Sequence, residues 1–528
     1  MRYNTSGGFN TAVGYEALNL NNTASNNTAM GYLALKSATD ASAQNTAIGS
    51  QAMQDSSGAE YNTVVGYYAG KQLSTGNYNV AVGANALDYI CTGSYNNAVG
   101  YLALSANTSG ASNQAFGAGA GKALTTGSQN VAIGHDALSA TDVGGLNISI
   151  GYQSMLTNID GSRSTAVGYQ SLYAQEPSGA TDMYNVAVGH IAGYGITTGI
   201  RNIAIGSGTL QSTATGNDNV AVGHNAASAL TSGGQNTFVG NYAGGVGVVT
   251  GSNSTAVGYK AGEDLTSGGS NTLLGELAGS SMTTGIMNTA LGNGTLATNV
   301  AGDNNIAVGF QALYTMNPSG NVDTNNIAMG LQAGYYMTTG VNNILIGTVA
   351  GSDLNTGSKN LLIGGGVQAT AEDMDEANAL GYAVVPAEGY TTLGISGAAI
   401  RAAHGVATWA AVSDERYKKN ITDSTAGLSF INDLRPRTFE YKNLGDLPEA
   451  FNAYEADSAE AFINSDTNHG FIAQEVKTVI DAHSEIKDGF RLWDDRPDGS
   501  QELGEAALIP VLVKAIQELS AEIDKLKA

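Results

Sequence analysis

The sequence predicts a mainly β protein: a long parallel β-solenoid shaft, followed by a small α+β domain that ends in a coiled-coil helix. Three observations carry this. A motif of the form Asn-x-Ala-Val-Gly recurs on a near-constant 17-residue step. Composition changes sharply at Ser413, from Gly-rich and charge-poor to charged and aromatic. The last segment carries Leu512, Ile516, Leu519, Ile523 and Leu526 at heptad spacing.

The repeat comes first because it decides how the rest is read. The 528 residues include 71 Gly, 7 Pro and only 13% charged residues, yet 42% are hydrophobic, too many for a disordered linker. Twenty-one copies close on a glycine, from Gly14, Gly31 and Gly49 to Gly330, Gly347 and Gly364. Two steps lengthen to 21 residues, Gly168 to Gly189 and Gly309 to Gly330. Their extra residues lie around Glu176-Pro177-Ser178-Gly179 and Asn317-Pro318-Ser319-Gly320, which read as extruded loops.

Asn stands four residues before the glycine in 19 copies, with Ser164 and Ser254 the exceptions. The residue just before the glycine is apolar. The third before it is mostly Thr, Val or Ile, and the second is mostly Ala. That period-two, β-branched pattern predicts a short strand. The outer two residues share a face. The Ala faces the other way, where only a small residue fits, and this small-residue strip is expected to meet a neighbouring rod. The glycine permits positive φ or a close backbone approach. A second stretch follows, with pairs such as Ala17-Leu18 and Ala69-Gly70, then Thr-, Ser- and Gly-rich turns. One unit cannot bury its own apolar face but a stack can, with the asparagines forming a ladder. At ~4.8 Å per coil the shaft is roughly 100 Å long.

After Gly364 the repeat fades, so the shaft is placed at 1–364 and a connector or neck at 365–412. The connector holds the acidic run Glu372-Asp373-Met374-Asp375-Glu376 and a last strand near Tyr390-Thr391-Thr392-Leu393-Gly394. Residues 413–528 form a separate domain.

Several functions are disfavoured. A net charge of −23 repels phosphate backbones, so no nucleic-acid partner is expected. The single cysteine, Cys91, reads as a packed small residue and excludes an intrachain disulfide. No apolar run spans a bilayer, and Met1-Arg2-Tyr3-Asn4 starts no signal core, so neither secretion signal nor membrane insertion is expected. Gly117-Ala118-Gly119-Ala120-Gly121-Lys122 lacks phosphate-loop spacing. His135, His190 and His224 follow the motif glycine where Tyr is common. They are read as rungs of an aromatic ladder rather than metal ligands, and no metal or cofactor is expected.

The shaft motif, as in Asn185-Val186-Ala187-Val188-Gly189 and Asn202-Ile203-Ala204-Ile205-Gly206, resembles the head repeats of trimeric autotransporter adhesins, though the step here is longer. The resemblance implies left-handed parallel β-rolls, three chains about one axis. The C-terminal region holds three motifs in order: Ser413-Asp414-Glu415-Arg416-Tyr417-Lys418-Lys419-Asn420-Ile421, then Leu434-Arg435-Pro436-Arg437-Thr438-Phe439-Glu440-Tyr441, then His469-Gly470-Phe471-Ile472-Ala473-Gln474-Glu475-Val476. These resemble the self-cleaving intramolecular chaperone at the end of phage endosialidases, tail fibres and spikes. That resemblance implies a homotrimer whose chaperone drives folding and then releases itself by autoproteolysis, a single-turnover serine-peptidase reaction.

Family spacing places a Ser-Lys dyad on Ser413 and Lys418. A serine is a weak nucleophile until a base takes its proton, and lysine serves once burial or nearby positive charge lowers its pKa. Arg416 and Lys419 are candidate sources of that charge. Ser413 is expected to attack the carbonyl of Val412, although which side of Ser413 is cut stays open. His469 either assists or orients the backbone.

The resulting expectation is a trimeric tail fibre or spike of a virion, assembled in the host cytoplasm. Its expected partners are other tail-fibre or baseplate proteins and a host cell-surface receptor, polysaccharide being one candidate. Because the chain begins within repeats, it is read as a fragment or a distal subunit. A bacterial trimeric adhesin is the alternative. A polysaccharide-depolymerising tailspike is a further one, disfavoured because the repeats carry few carboxylates and no distinct pocket.

Overall fold

The computed structural model describes residues 2–38, 42–212, 215–245, 247–406, 409–411, 413–486, 490, 492–496 and 499–527. The chain divides into two compact units, Met1–Val412 and Ser413–Ala528.

The first unit is a coil. Three-residue strands, from Thr11–Val13 to Leu361–Ile363, join one 25-stranded sheet. Each pairs in parallel with the equivalent strand of the next coil: Ala12 lies against Ala29, Ala187 against Ala204, and Leu345 against Leu362. One position of the repeat therefore forms one column along the coil.

Asparagine holds that register. The backbone N–H of Asn79 donates to Oδ1 of Asn62 at 2.8 Å, and that of Asn96 donates to Oδ1 of Asn79 at 2.8 Å. The same side chains donate from Nδ2 to turn carbonyls, Asn96 to Gly110 at 2.8 Å and Asn113 to Gly127 at 2.9 Å. Both ends of a buried amide are thus satisfied. Ser254 keeps only the acceptor role, taking the N–H of Asn271 at 3.3 Å. At Ser164 the amide is replaced by Gln175, whose Oε1 accepts from Ser164 Oγ at 3.2 Å and from Asn185 Nδ2 at 2.9 Å.

The motif glycines could not be otherwise. Gly134 has φ of 130°, and a Cβ there would lie 2.5 Å from the carbonyl oxygen of Gly151 in the next coil.

The alanines correct the sequence reading. Ala29, Ala47, Ala81 and Ala98 are fully buried inside the coil rather than facing a neighbouring rod. The outward strand face is apolar and larger, with Val13, Met30, Ile205, Leu274 and Met329 exposed. The two-residue alternation was right, but alternation alone does not say which face is inside.

The interior also follows a volume rule. In most coils one large side chain fills the core, from either the fourth or the seventh position after the motif glycine. Leu18, Leu35, Leu104 and Leu138 occupy the fourth. Where that position is Gly70, Gly121, Gly193 or Gly262, the seventh supplies Leu73, Leu124, Ile196 or Leu265. Large strand residues demand the same relief. Phe238 is fully buried, and a Cβ on Gly244 would lie 2.6 Å from its Cδ1. Cys91 sits in this core and donates to Oδ1 of Asn107 at 3.3 Å, and burial pushes its thiol up to about 11.

The coil continues beyond Gly364. Strands Asn378–Tyr382 and Tyr390–Ile395 extend the parallel ladder, pairing Leu361 with Asn378 and Asn378 with Thr391. The part of 365–412 assigned to a connector therefore carries two more rungs before an antiparallel return at Ala398–Ala403. The asparagine signature ends because Ala377 replaces it; its N–H still donates to Oδ1 of Asn360 at 3.0 Å.

The second unit is small and α+β. Helix α1 (Leu428–Asp433), helix α2 (Ala473–Ala482) and helix α3 (Leu508–Lys527) surround two antiparallel pairs, Arg437–Phe439 with Asn468–Gly470 and Trp493–Asp495 with Gln501–Leu503. Phe430, Val476, Ile480, Leu492, Leu508 and Val511 form its core. Glu518 of α3 accepts the N–H of Leu428 at 2.8 Å, capping α1 where acidic groups are favoured. The heptad residues Leu512, Ile516, Leu519, Ile523 and Leu526 lie exposed on α3, apart from its buried side.

Two outcomes are expected. Replacing Asn113 by Ala removes the acceptor of the Asn130 N–H (2.9 Å) and strands the Gly127 carbonyl, costing about 1–3 kcal/mol in urea unfolding. Asn113→Ser should cost less, because Ser254 keeps the acceptor role. Gly244→Leu should destabilise by about 1–3 kcal/mol and Phe238→Ala by about 3–5 kcal/mol. The double variant should lose at least ~1 kcal/mol less than their sum, as a double-mutant cycle would show.

Candidate functional site

Ser413 opens the second unit, and a single turn directly after it sets the local geometry. Glu415–Tyr417 form a 3₁₀ turn capped by Asp414, whose Oδ1 accepts the N–H of Arg416 at 2.9 Å. The N–H of Lys418 closes the turn on the carbonyl of Glu415 at 2.8 Å. This reversal brings Lys418 back over Ser413, and Lys418 Nζ lies 2.8 Å from Ser413 Oγ. Both residues are exposed within the single chain.

Arg416 does not play the part considered for it. Its guanidinium forks onto Asp414, with Nε 3.0 Å from Oδ1 and Nη2 2.6 Å from Oδ2. The pair holds the Asp414 carboxyl below its usual range and raises Arg416. Its charge is committed to Asp414, which leaves Lys419, just after that turn, as the neighbouring cation.

His469 lies elsewhere in the unit, on the strand Asn468–Gly470, opposite Thr438. Its Nδ1 is 3.4 Å from Thr438 Oγ1, and among the described residues no hydrogen bond joins it to Ser413 or Lys418. It lines an open cavity of about 500 Å³ with Phe439, Tyr441, Phe462 and Glu505. Val412, the other residue of the expected cleavage site, lies outside the described residues.

Three interactions in this unit escaped the sequence reading. Arg437 forks onto Glu475, with Nε 2.8 Å from Oε2, and so ties the second motif to the third. Glu518 caps α1 across 90 residues of sequence. His483 is buried at the end of α2, with Nε2 2.8 Å from Asp433 of α1 and Nδ1 2.8 Å from Glu485. With a carboxylate at each nitrogen, the site favours the protonated ring, and the His483 pKa is raised by Asp433 and then Glu485. The first pair could have been guessed from opposite charges in adjacent motifs; the other two have no local signal.

On the shaft, His135 and His190 are the end rungs of a stack. The rings run His135, Tyr152, Tyr169, His190 at 5.6, 5.4 and 5.2 Å. His224 meets Tyr242 edge-on at 5.4 Å. Among the described residues, no three His, Cys, Asp or Glu side chains gather as a metal site.

A parallel β-solenoid with a small α+β C-terminal unit is thus the class of protein that the fold defines. The comparisons add one specific likeness. Residues 413–484 match the model of the peptidase S74 family, described as the chaperone of endosialidase. The match begins at Ser413 and covers none of the coil. No curated protein and no solved structure matches the chain. Among the described residues, no helix is long and apolar enough to cross a membrane.

The His483 bridge carries a pH dependence. Asp433 and then Glu485 raise its pKa above the ordinary value, while Glu485 is lowered by His483. A raised imidazole stabilises fully below its unfolded value of about 6.5, and that stabilisation is lost as pH rises through the higher folded value. The thermal transition reported by Trp493, in a full chain carrying Trp409→Phe, should therefore fall on moving from near-neutral to alkaline pH. His483→Gln should flatten that fall.

Proposed function

We propose that the chain is a trimeric, phage tail-fibre or tailspike-type shaft. Its second unit acts as a self-releasing chaperone: it directs trimerisation, cuts the chain at Ser413 and leaves. The shaft then helps attach the particle to a host surface. The observation that carries this reading is the 2.8 Å approach of Lys418 Nζ to Ser413 Oγ. It stands at the first residue of the family match and of the second unit.

The homotrimer is what the chaperone family implies. Two exposed apolar features support it. One is the outward strand row, including Met30, Ile205 and Leu274; the other is the Leu512 to Leu526 seam of α3. Both are continuous apolar rows of the kind that parallel copies of one chain bury against each other. The face proposed to meet the neighbouring chains is this larger apolar row, not the buried alanines.

In the proposed reaction the neutral amine of Lys418 takes the hydroxyl proton of Ser413. Oγ bonds to the carbonyl carbon of Val412, the Val412–Ser413 C–N bond breaks, and the departing nitrogen takes a proton. The ester so formed is hydrolysed by water. The products are a Val412 carboxylate and a second unit with a free amino group on Ser413.

Intact mass measures this directly. Folded wild-type chain should give two fragments divided at Val412–Ser413, while Ser413→Ala and Lys418→Ala should stay full length. Lys418→Arg should also stay intact, because arginine stays protonated. A wild-type product that folds and trimerises yet keeps its full mass would overturn the proteolysis.

A further inference from the structure

The shaft carries a feature that the maturation chemistry does not use. Five residues after the motif glycine, Tyr173 and Tyr194 stack at 4.8 Å with planes 11° apart. In the next coils the same column holds Gln211, Ser228 and Gly245. That step from rings to small polar residues opens a groove with a cavity volume of about 560 Å³. Tyr194 walls one end and Tyr242 the other, with Gln211, Ser212, Ser228 and Gly245 between them. The Ser212 hydroxyl donates to the Ser228 carbonyl at 2.8 Å, and the Ser228 hydroxyl donates to the carbonyl of Gly245. Each serine oxygen keeps lone pairs to accept a further bond. Among the described residues nothing hydrogen-bonds the exposed side-chain amide of Gln211, which offers both a donor and an acceptor.

We infer that this groove is a binding site for a neutral oligosaccharide. It rests on the reading of the shaft as an attachment fibre, and gives that attachment a place and a chemistry. A pyranose has an apolar C–H face suited to a tyrosine ring and a rim of hydroxyls suited to amides and serines. Concave sites with apolar walls and a few polar groups are the usual form of small-ligand recognition. Among the described residues no charged side chain lines the groove, and the chain's charge of −23 opposes an acidic sugar or a nucleic acid. An extended peptide would need a free strand edge, but the strands of these coils are paired on both sides. The groove crosses three coil steps, roughly 14 Å by strand spacing, enough for a short oligosaccharide but not a single small ion.

The test uses the purified, matured fibre and a panel of neutral tetraoses built from glucose, galactose and N-acetylglucosamine, read by saturation-transfer NMR and calorimetry. At least one should bind in the micromolar to millimolar range. Tyr194→Ala should weaken it about tenfold, the scale of one lost ring face. Tyr194→Phe should retain binding, and Gln211→Ala, at an exposed side chain outside the core, should weaken it without changing the thermal transition. Failure of every tetraose to bind wild type, or undiminished binding in both Tyr194→Ala and Gln211→Ala, overturns the groove. Adsorption of the same fibres to a panel of bacteria separates this from the broader reading. Adsorption that ignores both substitutions overturns the groove and keeps attachment. Tetraose binding without adsorption to any cell keeps the groove and overturns attachment.

Discussion

The coil depends on one repeated interaction: a backbone N–H donated into the side-chain oxygen of the asparagine one turn earlier. Strands of three residues make too few ladder bonds to fix a register by themselves. The asparagine Oδ1 adds a bond by accepting the backbone N–H of the equivalent residue one coil later, as Asn113 does from Asn130, and its Nδ2 donates to a turn carbonyl, as from Asn113 to Gly127. Buried amides left half-satisfied would cost more than they contribute, so the column works only as an unbroken series. Where it breaks, the structure repairs it. Gln175, at the seventh core position just before the first long loop, stands in at Ser164, and the series stops at Ala377, in the first of the coil's last two rungs.

The same regularity creates a problem for the proposed trimer. A chain displaced by one coil against its neighbours would present nearly the same columns, because Ala, Gly and Asn recur at the same places. Local contacts cannot choose the register, and repetitive β structure is prone to slippage for this reason. Selection has to come from a non-repetitive part. The second unit is suited to that role, because its core, its Arg437–Glu475 fork and its helix seam occur once per chain. The proposed disposable registering domain is therefore the physical complement of a self-similar shaft.

Much of this was legible in the sequence, and the failures have specific causes. The strands, the glycines, the asparagine column and the two loops all follow from residue type and spacing. The direction of the alanines does not, because a period of two is symmetric between inside and outside. Their burial follows from the large side chains at the fourth and seventh positions, which fill most coils from the other side; where the strand carries a larger residue such as Phe238 or Leu345, the fourth position is glycine, Gly244 or Gly351. The last two rungs were hidden because Asn378-Ala379-Leu380-Gly381 keeps the strand and turn but loses the asparagine four before the glycine. In the second unit the spacing of Ser413 and Lys418 was readable, whereas the pairing of Arg416 with Asp414 was not. A nearby cation looks available until its geometry shows it already committed.

That commitment bears on when the proposed cut can occur. A general base must be neutral to take a proton, and an amine in water near neutral pH is mostly charged. Nearby positive charge and burial are the two routes to the neutral form. Arg416 is spent on Asp414, and Ser413 and Lys418 both face solvent in the isolated chain. Lys419 is the nearby cation that is left, and in the proposed trimer the neighbouring copies are the natural source of burial. On this logic a lone or misregistered chain keeps its dyad wet and stays intact, while correct assembly dries it. The exposure of a 2.8 Å serine–lysine contact is thus compatible with catalysis that waits for folding to finish.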